Sequence, residues 1–253
     1  MKQTYFLSDL HLGASYIADP RAHERMVVEF LLSIKQTASQ IFLLGDVLDY
    51  WYEYRTVVPR GHVRFFGALA ELADAGVRIV WLTGNHDIWL FDYLRDEIGI
   101  TVVDGAVTTT IDGQNFYLAH GDAVGDIPRG FQIIRTIFRN RFCQTLFSAI
   151  HPRWTVPFAH RWSSHSRSTG AEEKPFDKQN DSFIRFAEQY NRLNPDKHVD
   201  YFIFGHRHIL VDEEVKSAGA RVVILGDWIK KFTYARFADG ILTVEKLKEK
   251  HRQ

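Results

Sequence analysis

Five short polar blocks constrain this chain more than any other feature. They are Asp9-Leu10-His11, Gly45-Asp46-Val47-Leu48-Asp49, Gly84-Asn85-His86-Asp87, His120-Gly121 and Gly205-His206-Arg207-His208, and each follows directly on a short apolar run. Apolar runs of this length, cut off by glycine or polar residues, read as buried strands opening into loops. In open α/β sheets the loops at strand C-termini are where sites are built. The chain must therefore fold so that carboxylates, a carboxamide and several imidazoles gather at one edge of its sheets.

The first half alternates strand and helix signals. Thr4 to Ser8, Ile41 to Leu44 and Ile79 to Leu82 read as strands, with a helix over Pro20 to Gln36 and another over His62 to Ala75 that stops at Gly76. Such alternation predicts a largely parallel sheet with helices outside it. Beyond Thr101 the pattern becomes strand-rich. Val102-Val103, Val107 to Ile111, Phe116 to Ala119, Tyr201 to Phe204, Val222 to Leu225, Thr233 to Phe237 and Ile241 to Val244 are expected strands, and Asp112-Gly113 and Asp239-Gly240 are hairpin turns. Two facing sheets with helices on their outer sides is the economical α/β arrangement. We read residues 1–253 as a single domain.

Residues 127–178 interrupt it with a helical insertion. Phe131, Ile134, Phe138, Phe142, Leu146 and Ile150 recur at helical spacing, predicting one helix over Gly130 to Ile150 that Pro152 ends, followed by an amphipathic piece over Val156 to Ser166. Between Ile127 and Ala171 stand seven arginines (129, 135, 139, 141, 153, 161 and 167) and no Asp, Glu or Lys. That segregation is unusual in a chain whose Lys+Arg and Asp+Glu both total 31. The overall balance argues against a broad nucleic-acid groove. The single cysteine, Cys143, excludes an internal disulfide framework. A signal peptide would need a longer apolar stretch before Asp9, and no segment reaches the roughly 20 apolar residues of a membrane span. A cytoplasmic location is expected.

Phosphate esters resist water because their anionic oxygens repel nucleophiles, and two divalent cations about 3.5–4 Å apart relieve that repulsion. A carboxylate bridging the pair holds them so close, and Asp46 is the candidate. Asp9 and His11 alternate along an extended segment and can reach one ion. His206 and His208 have the same spacing and can divide between the two. Asn85 offers a neutral oxygen and His120 an imidazole nitrogen. The donors are oxygen and nitrogen without thiolate, which favours Mn²⁺, Fe or Zn²⁺ in a catalytic site, Mn²⁺ first. Taken alone, Asp-x-His or His-Gly is usually structural; Gly-Asn-His-Asp and Gly-His-x-His behind strands are far more specific.

Together and in this order, the five blocks resemble the calcineurin-like metallophosphoesterase superfamily over nearly the whole chain. The resemblance implies a sandwich of two β-sheets flanked by helices. It implies one ion on Asp9, His11, Asp46 and His208 and a second on Asp46, Asn85, His120 and His206. His86 would stand near the leaving oxygen as proton donor or charge stabiliser, with Asp87 orienting it. Asp49 is expected to support the ligands rather than bind metal.

Within the superfamily the chain is similar to the UDP-2,3-diacylglucosamine hydrolase branch of the lipid A pathway, which also carries a helical insertion. The similarity lies in Ser8-Asp9-Leu10-His11-Leu12, the aromatic residues at 50–52, His120-Gly121-Asp122, Phe131-Gln132, Gln144-Thr145-Leu146-Phe147 and the basic, serine-rich stretch Arg161 to Arg167. It implies a nucleotide-linked glycolipid substrate, cleaved to UMP and 2,3-diacylglucosamine 1-phosphate. Substrate contacts would come from Asn85, His86, Asp126, Ser166, Arg167, Lys174 and His206, with the insertion's arginines on the diphosphate. The insertion's apolar faces would hold acyl chains and rest peripherally on the inner membrane. No protein partner is implied. The chain departs from the branch in carrying His86 where Arg is usual and Arg207 where Thr is usual. Two other readings remain: a metallophosphoesterase for another nucleotide, phosphoprotein or nucleic acid, and a non-catalytic binding module, whose mark would be missing ligands.

Overall fold

The computed structural model describes residues 2–159 and 176–248. Strands β1 (Gln3–Leu7), β2 (Ala38–Leu44), β3 (Arg78–Leu82) and β4 (Thr101–Val103) lie parallel. Helices α1 (Pro20–Ser33), α2 (Val63–Asp74) and α3 (Tyr93–Ile98) connect them. The hairpin β10 (Thr233–Ala238) and β11 (Ile241–Lys246) completes this six-stranded sheet in the order β11-β10-β1-β2-β3-β4. The second sheet runs β5-β6-β7-β9-β8, built from β5 (Val107–Ile111), β6 (Gln114–Ala119), β7 (Tyr201–Phe204), β8 (Leu210–Val215) and β9 (Ala220–Leu225). Its three inner strands are parallel and its edges antiparallel.

The two sheets face one another across an aromatic and aliphatic layer. Phe6 stacks between Phe42 and Phe116 at ring separations of 5.4 and 5.6 Å, and Leu82, Ile203, Val223 and Phe237 close around them. On the outer side of the first sheet, α1 buries Met26, Val27, Phe30 and Leu31 against Leu7, Leu43 and Trp81. On the outer side of the second, α7 (Ser182–Leu193) buries Phe183, Ile184 and Ala187 against Phe202, Phe204 and Val222. The expected layers are therefore present, with parallel strands buried on both faces. Asp112 and Gly113, and likewise Asp239 and Gly240, all have positive φ, as two-residue hairpin turns between right-twisted strands require.

The insertion is broken where one helix was expected. Its first part is two helices, α4 (Arg129–Arg139) and α5 (Arg141–Ser148). Asn140 leaves helical geometry at ψ 121°, and its side-chain oxygen accepts from the Phe142 and Cys143 N–H groups, starting α5 anew. Pro152 does not end a helix but begins one, α6, helical over residues 152–159. Proline suits a first helical position because its missing N–H would have had no partner there. The rest of the expected amphipathic piece, including Ser166, and the substrate candidates Arg167 and Lys174 lie outside the described residues.

Candidate metal centre

The parallel strands of both sheets point their C-terminal ends at one place. β1 delivers Asp9 and His11, β2 Asp46, β3 Asn85 and His86, β6 His120, and β7 His206 and His208. The loops are stitched together by main-chain bonds: Asp9 N–H to Gly45 O at 3.1 Å, His11 N–H to Asp46 O at 2.9 Å, and Gly205 N–H to His120 O at 2.9 Å. The last bond joins two adjacent strand ends of the second sheet. A tie between the two sheets comes from Asp9, whose carboxylate accepts the His206 N–H at 3.0 Å.

Geometry at these loop residues is special. Asp9, His11, Asp46, His206 and His208 all hold left-handed backbone, with φ between 46° and 69°. Non-glycine residues avoid this region, and clusters of such strain concentrate at functional sites. The glycines before the ligands are required sterically. A Cβ on Gly45 would stand 2.7 Å from the Gly84 Cα and from the His120 ring, and one on Gly84 would run into the Asp46 carboxylate.

Donor atoms converge into overlapping groups whose members lie within 4.8 Å of one another: Asp9, His11 and His208; His11, Asp46 and His86; and Asp46, His120 and His206. Asp46 Oδ2 is 3.3 Å from His120 Nε2 and 3.8 Å from His11 Nε2, so it stands between two clusters. His208 Nε2 lies 3.6 Å from Asp9 Oδ1, and Asn85 Oδ1 lies 3.1 Å from His120 Nε2. The structure thus brings all seven expected ligands together, and sets His86 beside His11 and Asp46 as well.

Electrostatics explain why such a cluster seeks cations. Asp9 and Asp46 are buried, at 0% and 2% exposure, and among the described residues neither is paired with a lysine or arginine. Burial pushes both carboxyls up, but the surrounding histidines outweigh it and hold both below the ordinary range. Burial disfavours the charge on His120, yet the Asp46 carboxylate beside it raises its pKa to about 10. Burial and the neighbouring His120 charge push His206 down to about 4. A buried anion that raises the neighbouring histidine so far attracts a cation, a proton or a metal ion. The donors are carboxylate, carboxamide and imidazole, and they fit divalent first-row metals. His120 Nδ1 lies 2.9 Å from Leu44 O; donation there leaves Nε2 facing Asn85 and Asp46.

One expected role changes. Asp87 does not orient His86. Its carboxylate is buried, and both oxygens are taken by N–H donors: Gly84 and Asp46 main chain on Oδ1, Val47 main chain and the Trp81 indole on Oδ2. The partner of His86 is Asp49, whose carbonyl lies 3.1 Å and whose carboxylate lies 3.7 Å from His86 Nδ1. Asp126 is exposed and paired with Arg185 on α7.

Residues without an expected role complete the site. Asp227 follows β9 and lies 3.7 Å from His208 Nδ1, while its other oxygen accepts three N–H groups of the next turn. Its signal was available: Gly226-Asp227 after an apolar run repeats Gly45-Asp46. Asp122, buried next to His120, holds Arg135 of α4 at 2.9 Å, and Arg139 reaches Asp104 at 2.9 Å. The Trp89 indole donates to Phe138 O at 2.9 Å and the Tyr52 hydroxyl to Gln144 O at 2.7 Å, fastening the α4–α5 corner over the site. Beneath that corner a cavity of about 320 Å³ opens onto Asn85 and His86, walled by Trp89, Phe131, Ile134 and Phe138.

A family model described as calcineurin-like phosphoesterase matches residues 3–210. The chain belongs to the calcineurin-like phosphoesterase family. Among relatives of this phosphoesterase, a Porphyromonas gingivalis protein named UDP-2,3-diacylglucosamine hydrolase is 42% identical over 258 aligned residues, covering 97% of each chain. Proteins of the same name from Ralstonia nicotianae and Neisseria meningitidis are 27% and 26% identical, each alignment covering 95% of this chain and 91% and 95% of theirs. No helix among the described residues of this phosphoesterase is long and apolar enough to cross a membrane.

Proposed function

We propose that this phosphoesterase hydrolyses UDP-2,3-diacylglucosamine to UMP and 2,3-diacylglucosamine 1-phosphate. The observation that carries the proposal is the apolar cavity opening directly beside Asn85 and His86. A phosphoester site joined to an aromatic chamber suits a substrate with a charged diphosphate at one end of a lipid. The names of the relatives point the same way.

Asp9, His11, Asp46 and His208 would hold one divalent ion, and Asp46, Asn85, His120 and His206 the other, with Mn²⁺ matching the donor set. Such a pair would supply Lewis acidity toward the phosphate oxygens and the attacking water. Water adds to the uridine-side phosphorus, the bridging P–O bond breaks, and the departing oxygen stays with the sugar phosphate. His86, with Nδ1 facing Asp49 and Nε2 3.9 Å from Asp46 Oδ2, would donate a proton to the departing oxygen. Arg135 and Arg139 line the cavity and would meet the diphosphate there.

Residues 127–178 act as an inserted lid. Ile133, Phe142, Leu146 and Trp154 are 55–71% exposed on α4–α6 among arginines, a face suited to the anionic cytoplasmic leaflet of the inner membrane. The protein would work in the cytoplasm, docked peripherally. The test is incubation with Mn²⁺ and UDP-2,3-diacylglucosamine. UMP should form, carry the oxygen of labelled water, vanish with chelator and fall by about 10³-fold or more in Asp46→Ala. Phosphate release from simple monoesters without UMP would assign the site to another phosphoester.

A further inference from the structure

A second cavity, of about 480 Å³, lies beside the first. Among the described residues the two share one lining residue, Tyr50, which stands between them. The larger cavity begins at Leu12 and Gly13, immediately after His11, and is closed by the loop Val58–His62, the start of α1, and Pro152 and Val156 of α6. Its size falls in the range of roughly 300–1,000 Å³ common to small-molecule sites.

The lining differs in kind from the aromatic chamber. Tyr50, Val58 and Pro59 give flat apolar walls, while Arg21, Glu24 and Arg60 bring opposite charges to the same space. The carboxylate is held in place. Glu24 Oε1 accepts the N–H groups of Arg64 and Phe65, each at 3.1 Å, which binds α1 to the start of α2. The His62 ring packs on Gly13 so closely that a Cβ there would approach it to 2.9 Å. An alkyl chain in this cavity would strip water from two arginines and a carboxylate without replacing their hydrogen bonds. A nucleoside offers a flat base for the apolar walls, ribose hydroxyls for the carboxylate and base carbonyl oxygens for the arginines, while its phosphate stays at the ligand cluster.

We propose that this second cavity receives the nucleoside half of the substrate, with Tyr50 separating it from the lipid half. The inference rests on the substrate class proposed above and assigns the end of the molecule that the aromatic chamber does not take. With the scissile diphosphate at the ligand cluster, the two products sit in separate cavities after cleavage.

The experiment compares wild type with Arg21→Ala/Arg60→Ala, both full-length, Mn²⁺-loaded and matched in metal content and Tm. It measures KM and product inhibition by UMP, by inorganic phosphate, which reaches the ligand cluster alone, and by the lipid product. The inhibition constant for UMP should rise about tenfold relative to that for phosphate, as expected for lost charged hydrogen bonds, and KM should rise with it. Val58→Trp, which fills the cavity without removing a charge, should weaken UMP in the same way. An unchanged UMP-to-phosphate ratio in both variants overturns the inference, and so does weakened inhibition by the lipid product with UMP unaffected, which would give the cavity to an acyl chain. Absence of UMP release by the wild type overturns the functional reading itself and this inference with it.

Discussion

Asp87→Asn tests whether the buried carboxylate behind the site is a structural node or a partner of His86. Its two oxygens each accept two N–H donors, at 2.6 and 3.3 Å on Oδ1 and at 2.9 and 3.1 Å on Oδ2. An asparagine amide has one oxygen and one NH₂ group. Whichever way it turns, its NH₂ faces two fixed N–H donors that then lack acceptors. Each buried donor left unsatisfied costs about 1–3 kcal/mol. Burial and the nearby Asp46 charge raise the Asp87 pKa, so removing the charge returns part of that loss. A net destabilisation of about 3 kcal/mol follows, which for a domain of this size lowers Tm by about 6–12 °C.

Thermal unfolding by circular dichroism measures that shift, and calorimetric titration with Mn²⁺ provides the second reading. Two of the four donors belong to Asp46 and Gly84, on the loops that present the metal ligands, so affinity for the ion should fall together with stability. A variant that melts within about 2 °C of wild type, yet shows a displaced acidic limb in its pH–rate profile, would refute the reasoning. That outcome would return Asp87 to the role of orienting His86.

Three further outcomes follow from other contacts. Gly84→Ala drives a Cβ into the Asp46 carboxylate and should cost about 1–3 kcal/mol and at least about tenfold in Mn²⁺ affinity, measured by the same titration. Asp227 is held below the ordinary carboxylate range because the His208 contact and three N–H donors outweigh its burial; its contribution to stability is complete above about pH 5 and lost as the pH falls below 4. Asp227→Asn keeps an oxygen for the three N–H groups, so denaturation should find it about 1–2 kcal/mol less stable than wild type at pH 7, with the difference shrinking steadily as the pH falls from 4 to 2. Phe142→Glu/Trp154→Glu puts charge on two side chains that are 71% and 70% exposed, and should reduce co-sedimentation with anionic phospholipid vesicles by tenfold or more while binding of Mn²⁺ is unchanged.

Much of the fold was legible because hydrophobic periodicity is a local property. β7 was expected over its whole length, and the turns at Asp112-Gly113 and Asp239-Gly240 were marked by residues that tolerate positive φ. β8 was not marked: its sequence, Leu-Val-Asp-Glu-Glu-Val, carries three acids that an edge strand can turn to water. The break at Asn140 was hidden for a different reason. The apolar residues keep helical spacing straight through it, and only the side-chain bonds of Asn140 reveal the restart. The cluster of candidate ligands was legible because each residue closely follows a strand, which brings it to one edge of the sheets. The partners of His86 and His208 were not, because Asp49 and Asp227 reach them across loops from other strands, and nothing in linear spacing distinguishes Asp49 from Asp87 as the neighbour of His86.

The glycines in the blocks now have a physical explanation that the chemistry of the ligands alone does not supply. Gly45, Gly84 and Gly205 each stand one residue before a ligand, and at each a Cβ would collide with another part of the cluster: the His120 ring, the Asp46 carboxylate, the Asp9 carboxylate. The ligands themselves are bent into left-handed backbone at Asp9, His11, Asp46, His206 and His208. Such conformations cost of order 1–3 kcal/mol each and persist only where the surroundings leave no alternative. Here the surroundings are the strand ends of two sheets, joined where His206 N–H meets the Asp9 carboxylate and where Trp228 N–H donates to Asp9 O at 3.1 Å. The sandwich thus supplies the rigidity, the glycines supply the room, and the strained backbone points the buried carboxylates inward.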